Sequence, residues 1–206
     1  MHLYHATIIA ECIYRDIEPY CEEGYLHIAG SIRRKKTTDI KDVEIVCIPK
    51  KSICQEKNLF GEVIKETTVI HPEFIEAIRE AGTIVKGKFI GRYMKIEMVR
   101  EIEGTRHIIN LDLFMPQKHD YFRQLAIRTG SAEYSKRFIA DKWVALGWRG
   151  VDGELRLQRE CNQYEDKSWK LKPHIIEPTL PPVWQSEKEF FKWLGVQWLE
   201  PEQRNL

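Results

Sequence analysis

Gly30-Ser31-Ile32-Arg33-Arg34, followed across a charged connection by Asp42-Val43-Glu44-Ile45-Val46-Cys47-Ile48, is the stretch from which the rest of the chain can be organised. Ahead of it, Tyr25-Leu26-His27-Ile28-Ala29 has the apolar content of a strand that stops at Gly30-Ser31, so a strand runs into a tight turn. Such a turn lets backbone N–H groups and a hydroxyl approach an anion, and Arg34 adds forked donors matched to phosphate oxygens. The second half alternates acidic with β-branched side chains and ends at Pro49-Lys50-Lys51, which predicts another strand. Side chains alternate along a strand, so Asp42 and Glu44 project from one face, where two carboxylates can jointly hold a hard divalent cation such as magnesium.

Upstream, Ala6, Ile9, Ala10, Ile13, Ile17 and Tyr20 recur at helical spacing, predicting an amphipathic helix over 6–21 that frays near Pro19. Downstream, 52–68 is polar and poorly periodic, and Pro72 then opens a short helix that closes on Gly82. The segments 83–85, 92–99 and 107–115 read as strands, the last two joined by a turn at Glu103-Gly104. Asp112 lies inside the apolar run Ile108–Phe114, where a carboxylate is costly without a cation, and so is a third candidate ligand. These elements predict an α+β fold with a mixed sheet and helices on one face.

Past Pro116 the character changes. Helices are expected over 120–128 and 131–146 around the tight Thr129-Gly130-Ser131, then short strands and loops over 148–172, then a stiff link at Pro178, Pro181 and Pro182. Ser186-Glu187-Lys188-Glu189 has capping-box spacing ahead of Phe190, Phe191, Trp193 and Leu194, with Gly195 where that helix ends. A subdomain boundary near residue 116 is expected, giving units 1–116 and 117–206. No internal repeat is present.

Composition narrows the class. The 206 residues carry 32 Lys+Arg against 31 Asp+Glu and are 43% hydrophobic, which suits a globular chain and argues against a simple polyanion-binding module. No apolar run is long enough to span a bilayer and the amino end lacks a secretory pattern, so a cytoplasmic protein is expected. The five cysteines, Cys12, Cys21, Cys47, Cys54 and Cys161, include no C-x-x-C and read as reduced packing residues. The histidines lack zinc spacing, and the P-loop, dinucleotide-binding and G-x-S-x-G patterns are missing. His27 reads as packed or surface-lying, and Trp184 and Trp198 as the exposed pair among tryptophans that otherwise form core.

The order GSIRR, DVEIV, NLDLF and RTGS resembles the nucleotidyltransferase core of the family X DNA polymerases, the DNA polymerase beta type. The carboxyl end, LPPVWQSEKEFFKWLGVQWLEPEQRN, is similar to the family's terminal pattern of a proline link, an acidic capped helix and a closing P-x-x-R. The resemblance covers residues 6–206. It implies a nucleotidyltransferase palm over 1–116 and a small α/β thumb, the nucleotide-selection subdomain, over 117–206, without an amino-terminal lyase or helix-hairpin-helix segment.

Carried across residue by residue, the resemblance makes Asp42, Glu44 and Asp112 the catalytic, metal-binding acids, with two Mg2+ ions, or Mn2+ in their place, and Asp112 taking the proton of the primer 3′ hydroxyl. Gly30, Ser31 and Arg34 would hold the β and γ phosphates. Lys41, Arg128, Thr129, Gly130, Ser131 and Ser135 would line the nucleotide, and Lys136 and Arg137 would approach the nucleic acid. Glu44 stands where a second Asp is usual, Ile127-Arg128 where an aromatic pair is usual, and Asn110 where an Arg is frequent.

The implied activity is addition of nucleoside monophosphates from dNTPs to a DNA 3′ hydroxyl with release of pyrophosphate, by a small monomeric, template-directed gap-filling or repair polymerase. Its partners would be primer-template or gapped DNA, with no membrane. The alternatives are a template-independent or ribonucleotide-adding transferase and a catalytically silent nucleotide- or nucleic-acid-binding module. Residues 1–116 carry 17 basic and 18 acidic side chains, and 117–206 carry 15 and 13, so weak, salt-sensitive DNA affinity is expected.

Overall fold

A computed structural model describes residues 1–37 and 39–205. Helix α1, Leu3–Ile17, buries Ala6, Ile9, Ala10, Ile13 and Ile17, the apolar stripe that its spacing predicts. Pro19 tightens the chain into a 3₁₀ turn, Glu18–Tyr20, before strand β1, Cys21–Ile28. A one-turn helix α2, Gly30–Arg33, leads to β2, Asp42–Pro49. The turn expected after Ala29 is therefore helical, with Arg33 its last residue and Arg34 its C-cap.

Strands β5, Thr83–Gly87, β6, Tyr93–Ile102, and β7, Thr105–Phe114, complete a five-stranded sheet of order β1-β2-β7-β6-β5. The β2–β7 pair is parallel and the other pairs are antiparallel, so the sheet is mixed and the fold is α+β. Alternation divides its side chains. Val43, Ile45, Cys47, Met94, Ile96, Met98, Leu111 and Leu113 pack into one core with α1 and α3, Pro72–Ala81.

Within residues 1–116, α1 and α3 pack on one face of the sheet, as expected, and the other face is partly covered from beyond Pro116. Val46, Ile48 and Phe114 point the other way and pack with Tyr121 and Leu125 of helix α4, Tyr121–Thr129. These three β-face residues are apolar because α4 covers them; Asp42, Glu44 and Asp112 lie on the same face beyond its footprint.

The segment 52–68, expected to be irregular, forms a hairpin. Among the described residues, β3, Lys51–Lys57, and β4, Val63–Ile70, pair with each other alone, and Asn58 Oδ1 accepts from Phe60 N at 2.9 Å and Glu62 N at 3.0 Å in the turn. Both faces of this ribbon are largely solvated, so burial imposed no alternation on its sequence. Cys54 sits on it fully in solvent's reach, unlike the buried Cys21, Cys47 and Cys161, and is no packing residue.

After Pro116 a second apolar core forms from Ala126, Tyr134, Ile139, Trp143, Trp148, Leu155, Trp184, Phe190, Phe191 and Leu194. Its elements are α4, the short helix α5, Ala132–Tyr134, a π-helical turn, Ser135–Ala140, α6, Asp141–Ala145, and α7, Glu187–Leu194. The small hairpins β8, Trp148–Val151, with β9, Glu154–Leu157, and β10, Cys161–Gln163, with β11, Trp169–Leu171, account for the region read as short strands. Ser186 Oγ accepts from Glu189 N at 3.2 Å and Gly195 closes α7 with φ 68°, as expected, but Glu189 Oε2 accepts from Gln185 N at 2.7 Å rather than from Ser186 N, so the expected capping box is only half made. Trp184 is buried rather than exposed, edge-on to Phe190 at 4.8 Å. Among the described residues, no helix is long and apolar enough to cross a membrane.

Candidate functional site

The parallel β2–β7 register places Glu44 opposite Asp112 and Asp42 opposite Asn110. Paired residues in neighbouring strands share a face, so the three acids and Asn110 form one polar patch on a sheet whose opposite face is core. Asp42 and Glu44 are half-buried, and they crowd one another. Burial first, and then the charge of Asp112, raises the Asp42 carboxyl above its ordinary value. Burial and then Asp42 push Glu44 up to about 7.

Glu44 turns towards α2. A β-carbon at Gly30 would stand 1.9 Å from Glu44 Oε2, and Gly30 has φ +64°, so both the backbone and the space at this position call for glycine. Asp112 is held from strand β6. Tyr93 Oη donates to Asp112 Oδ1 at 2.8 Å, and Lys95, directly across the antiparallel register, brings Nζ to 3.4 Å from the same oxygen. Burial and the Asp112 bond push the Tyr93 hydroxyl up to about 12, which keeps it a donor at neutral pH.

Arg128, at the end of α4, stacks its guanidinium 4.0 Å over the Phe114 ring, two residues beyond Asp112 on the same face. Burial lowers its pKa, while Glu44 and Asp112 hold the proton on. Its Nε is buried without a hydrogen-bond partner among the described residues. A desolvated cation thus borders the acids.

The Arg33-Arg34 pair is built into a junction with the carboxyl-terminal segment. Arg33 donates to Thr129 Oγ1 and to Glu187 Oε2, each at 2.6 Å, and Arg204 donates to Glu187 Oε1 at 2.8 Å. Arg204 is fully buried. Burial tends to raise the Glu187 carboxyl, but the bonds and charges of Arg33 and Arg204 outweigh it and hold it below its ordinary value. Arg34 gives Nη1 to the Thr129 carbonyl at 2.6 Å and Nε to Asn205 Oδ1 at 2.8 Å, so this expected phosphate ligand has two donors already engaged. Lys35 adds an exposed bridge to Glu202 at 2.6 Å.

Of the other expected nucleotide and nucleic-acid contacts, Ser31 begins α2 beside Gly30, and Lys41 is exposed and within charge reach of Asp42. Thr129 is buried at the junction; Ser131 caps α5 by accepting from Tyr134 N at 3.1 Å. Ser135 Oγ donates to the Ile127 carbonyl at 2.8 Å and lies against Gly130, where a β-carbon would stand 2.6 Å from it. Lys136 and Arg137 are exposed on the π-helical turn, Arg137 3.6 Å from Glu133. His27 is packed: its Nδ1 is 2.7 Å from Tyr121 Oη, which donates to the Val46 carbonyl at 3.0 Å.

Four participants were missed in the sequence: Tyr93, Lys95, Glu187 and Arg204. Lys95 was legible in principle, since Met94-Lys95-Ile96-Glu97-Met98 alternates and puts Lys95 on the face opposite the methionines. Glu187 was visible only as part of a helix cap. The pairing across 154 residues with Arg33 leaves no local signal.

A set of carboxylates and an amide carbonyl suits a hard, oxygen-seeking cation in chemistry. Among the described residues, no three His, Cys, Asp or Glu side chains close into a ready cage. Glu44 lies folded against Gly30 and Asp112 is bonded to Tyr93 and Lys95, so the acids share a face without converging. Compared with known proteins, the chain matches no protein-family model and no curated protein.

Proposed function

We propose that the chain is a divalent-metal-dependent nucleotidyltransferase of the family X DNA polymerase type, a nucleotidyltransferase palm with a small thumb, adding nucleoside monophosphates to a DNA 3′ hydroxyl. The observation that carries this reading is the β2–β7 register, which brings Asp112 opposite Glu44 and on one face with Asp42, although Asp112 lies 68 residues further along the chain than Glu44. Three carboxylates on a solvent-reachable face, two of them with raised pKa, are destabilising unless positive charge joins them. The order of the glycine turn, paired acids, third acid and Thr129-Gly130-Ser131 adds to it.

In this reading Asp42 and Asp112, with Glu44 swung off Gly30, would hold Mg2+, which would supply charge neutralisation of the nucleotide phosphates and a more acidic attacking hydroxyl. Asp112 is placed to accept the hydroxyl proton on Oδ2, since Oδ1 takes the Tyr93 and Lys95 contacts. The Gly30-Ser31 backbone and Ser31 hydroxyl border the leaving phosphates, with the Arg128 guanidinium, stacked on Phe114, beside them. The α4–α5 turn lines the sugar and base.

The test is extension of a labelled primer on gapped, recessed and single-stranded DNA with each dNTP and NTP, in Mg2+, Mn2+ and chelator, beside Asp112→Asn. Template-matched, metal-dependent addition lost in the variant is the expected result. Addition that ignores the template moves the assignment to a terminal transferase; no incorporation on any substrate overturns the enzyme reading.

A further inference from the structure

We infer that Lys95 is the resident counter-cation of the acid face, holding Asp112 until a divalent cation takes its place. This rests on the metal-binding reading of Asp42, Glu44 and Asp112, and concerns what those acids do before the metal arrives.

Lys95 faces Asp112 directly in the antiparallel β6–β7 register, and alternation fixes it there: Met94 and Ile96 are fully buried in the core below, so the intervening side chain must emerge on the acid face. Its Nζ lies 3.4 Å from Asp112 Oδ1, with side-chain exposures of 32% for Lys95 and 14% for Asp112. The same ammonium lies within charge reach of Asp42. One flexible cation is therefore paired with Asp112 from the neighbouring strand, and its charge also reaches Asp42 two strands away. The second bond on Asp112 Oδ1, from Tyr93, keeps the carboxylate in place when the ammonium leaves. Lys95 has the reach to do so, since a four-carbon stem lets its ammonium swing into solvent at little cost. Arg128 differs: its guanidinium is stacked on Phe114, and the planar head is fixed there.

A resident cation competes with an added one, because a divalent ion on Asp42 and Asp112 meets repulsion from Lys95 unless it moves off. Removing the charge at residue 95 should therefore tighten metal binding. The experiment is Mn2+ titration of the full chain, without nucleotide or DNA, followed by electron paramagnetic resonance, for the natural protein, Lys95→Gln, Lys95→Arg, Asp112→Asn and Lys95→Gln/Asp112→Asn. Near-ultraviolet circular dichroism verifies each fold.

The expected result is a dissociation constant for Lys95→Gln about tenfold tighter, one near the natural value for Lys95→Arg, and loss of the gain in the double variant. Mn2+ binding acquired only in Lys95→Gln gives the same answer. If Lys95→Gln binds Mn2+ no more tightly while Asp112→Asn weakens it, the counter-cation role is overturned and the metal reading stands. If Mn2+ binding is absent from both the natural protein and Lys95→Gln, or is indifferent to Asp112→Asn, the metal reading fails and this inference with it.

Discussion

The Glu44 carboxylate fills the space beside the Gly30 α-carbon: a β-carbon built on Gly30 would lie 1.9 Å from Glu44 Oε2 and 2.8 Å from Glu44 Cδ. The strand that carries the paired acids and the turn that follows β1 are thus fitted to each other at one point. Residue 30 also has φ +64°. Gly30→Ala should lose about 1–2 kcal/mol to the left-handed backbone alone, with a further loss from moving Glu44. Urea unfolding of Gly30→Ala, Glu44→Ala and the double variant separates the two, because the double variant keeps the backbone cost and removes the clash. Strictly additive losses would show that the contact carries no energy.

Glu44 also gives a pH dependence with a definite sign. Its carboxyl is raised from 4.5 to about 7 in the folded protein by burial and by Asp42. Between these values the unfolded chain has released the proton that the folded chain still binds, so stability falls as pH rises through the window and stays lower above it. In chelator, Glu44→Gln should flatten this slope and be the more stable form at pH 8, by on the order of 2 kcal/mol. Equal slopes for the two proteins between pH 5 and 8 in urea unfolding would exclude a raised Glu44.

Glu187 behaves in the opposite sense. Arg33 and Arg204 hold it below its ordinary value, so its contribution is complete above the unfolded carboxyl value, about 4.3, and is lost as pH falls through the folded one. Glu187→Gln leaves the buried Arg204 and the largely buried Arg33 without their counter-charge and should cost about 3–5 kcal/mol at neutral pH. It should also make acid unfolding less steep. Thermal melts from pH 3 to 7 read both effects, and a variant that melts with the natural protein at pH 7 would mean that the junction contributes nothing.

How much of this was legible depended on whether burial left a periodic trace. α1 and α7 were readable because one face of each is apolar, and α7 also carries a Ser186 cap and a closing Gly195. Strands β2, β6 and β7 were readable because alternate residues enter the core. The acid face could be anticipated at Asp42, Glu44 and Asp112, since charged residues interrupting β-branched runs are conspicuous. Its counter-cations could not, because Lys95 looks like any solvated strand lysine until the register sets it opposite Asp112. The Arg33–Glu187–Arg204 junction joins three distant segments, and its members were accounted for locally by a turn, a helix cap and a terminal motif.

The β3–β4 hairpin left no trace for the converse reason, and that is itself testable. Its strands belong to no larger sheet, and Ile53, Leu59, Phe60, Val63, Ile64 and Val69 are exposed. The chain is already closed at its base, where His71 N donates to the Lys50 carbonyl at 2.9 Å and Lys50 Nζ donates to the Pro19 carbonyl at 2.6 Å. An element that buries little apolar surface and meets the core only at its root contributes little to global stability, and removing it is tolerated when the ends are near each other. Replacing residues 52–69 by a short Gly-Ser turn should therefore shift the urea midpoint only slightly and leave Mn2+ binding at the acid face unchanged, because Asp42 lies at the opposite end of β2 from Pro49. Aggregation should fall as well, since two open ribbon edges and six exposed apolar side chains go with the deletion. Cooperative unfolding retained, with the midpoint only slightly shifted and Mn2+ affinity unchanged, is the expected outcome. A large loss of stability would show that the ribbon packs on the body of the protein in solution, and lost metal binding with stability intact would place it at the acid face.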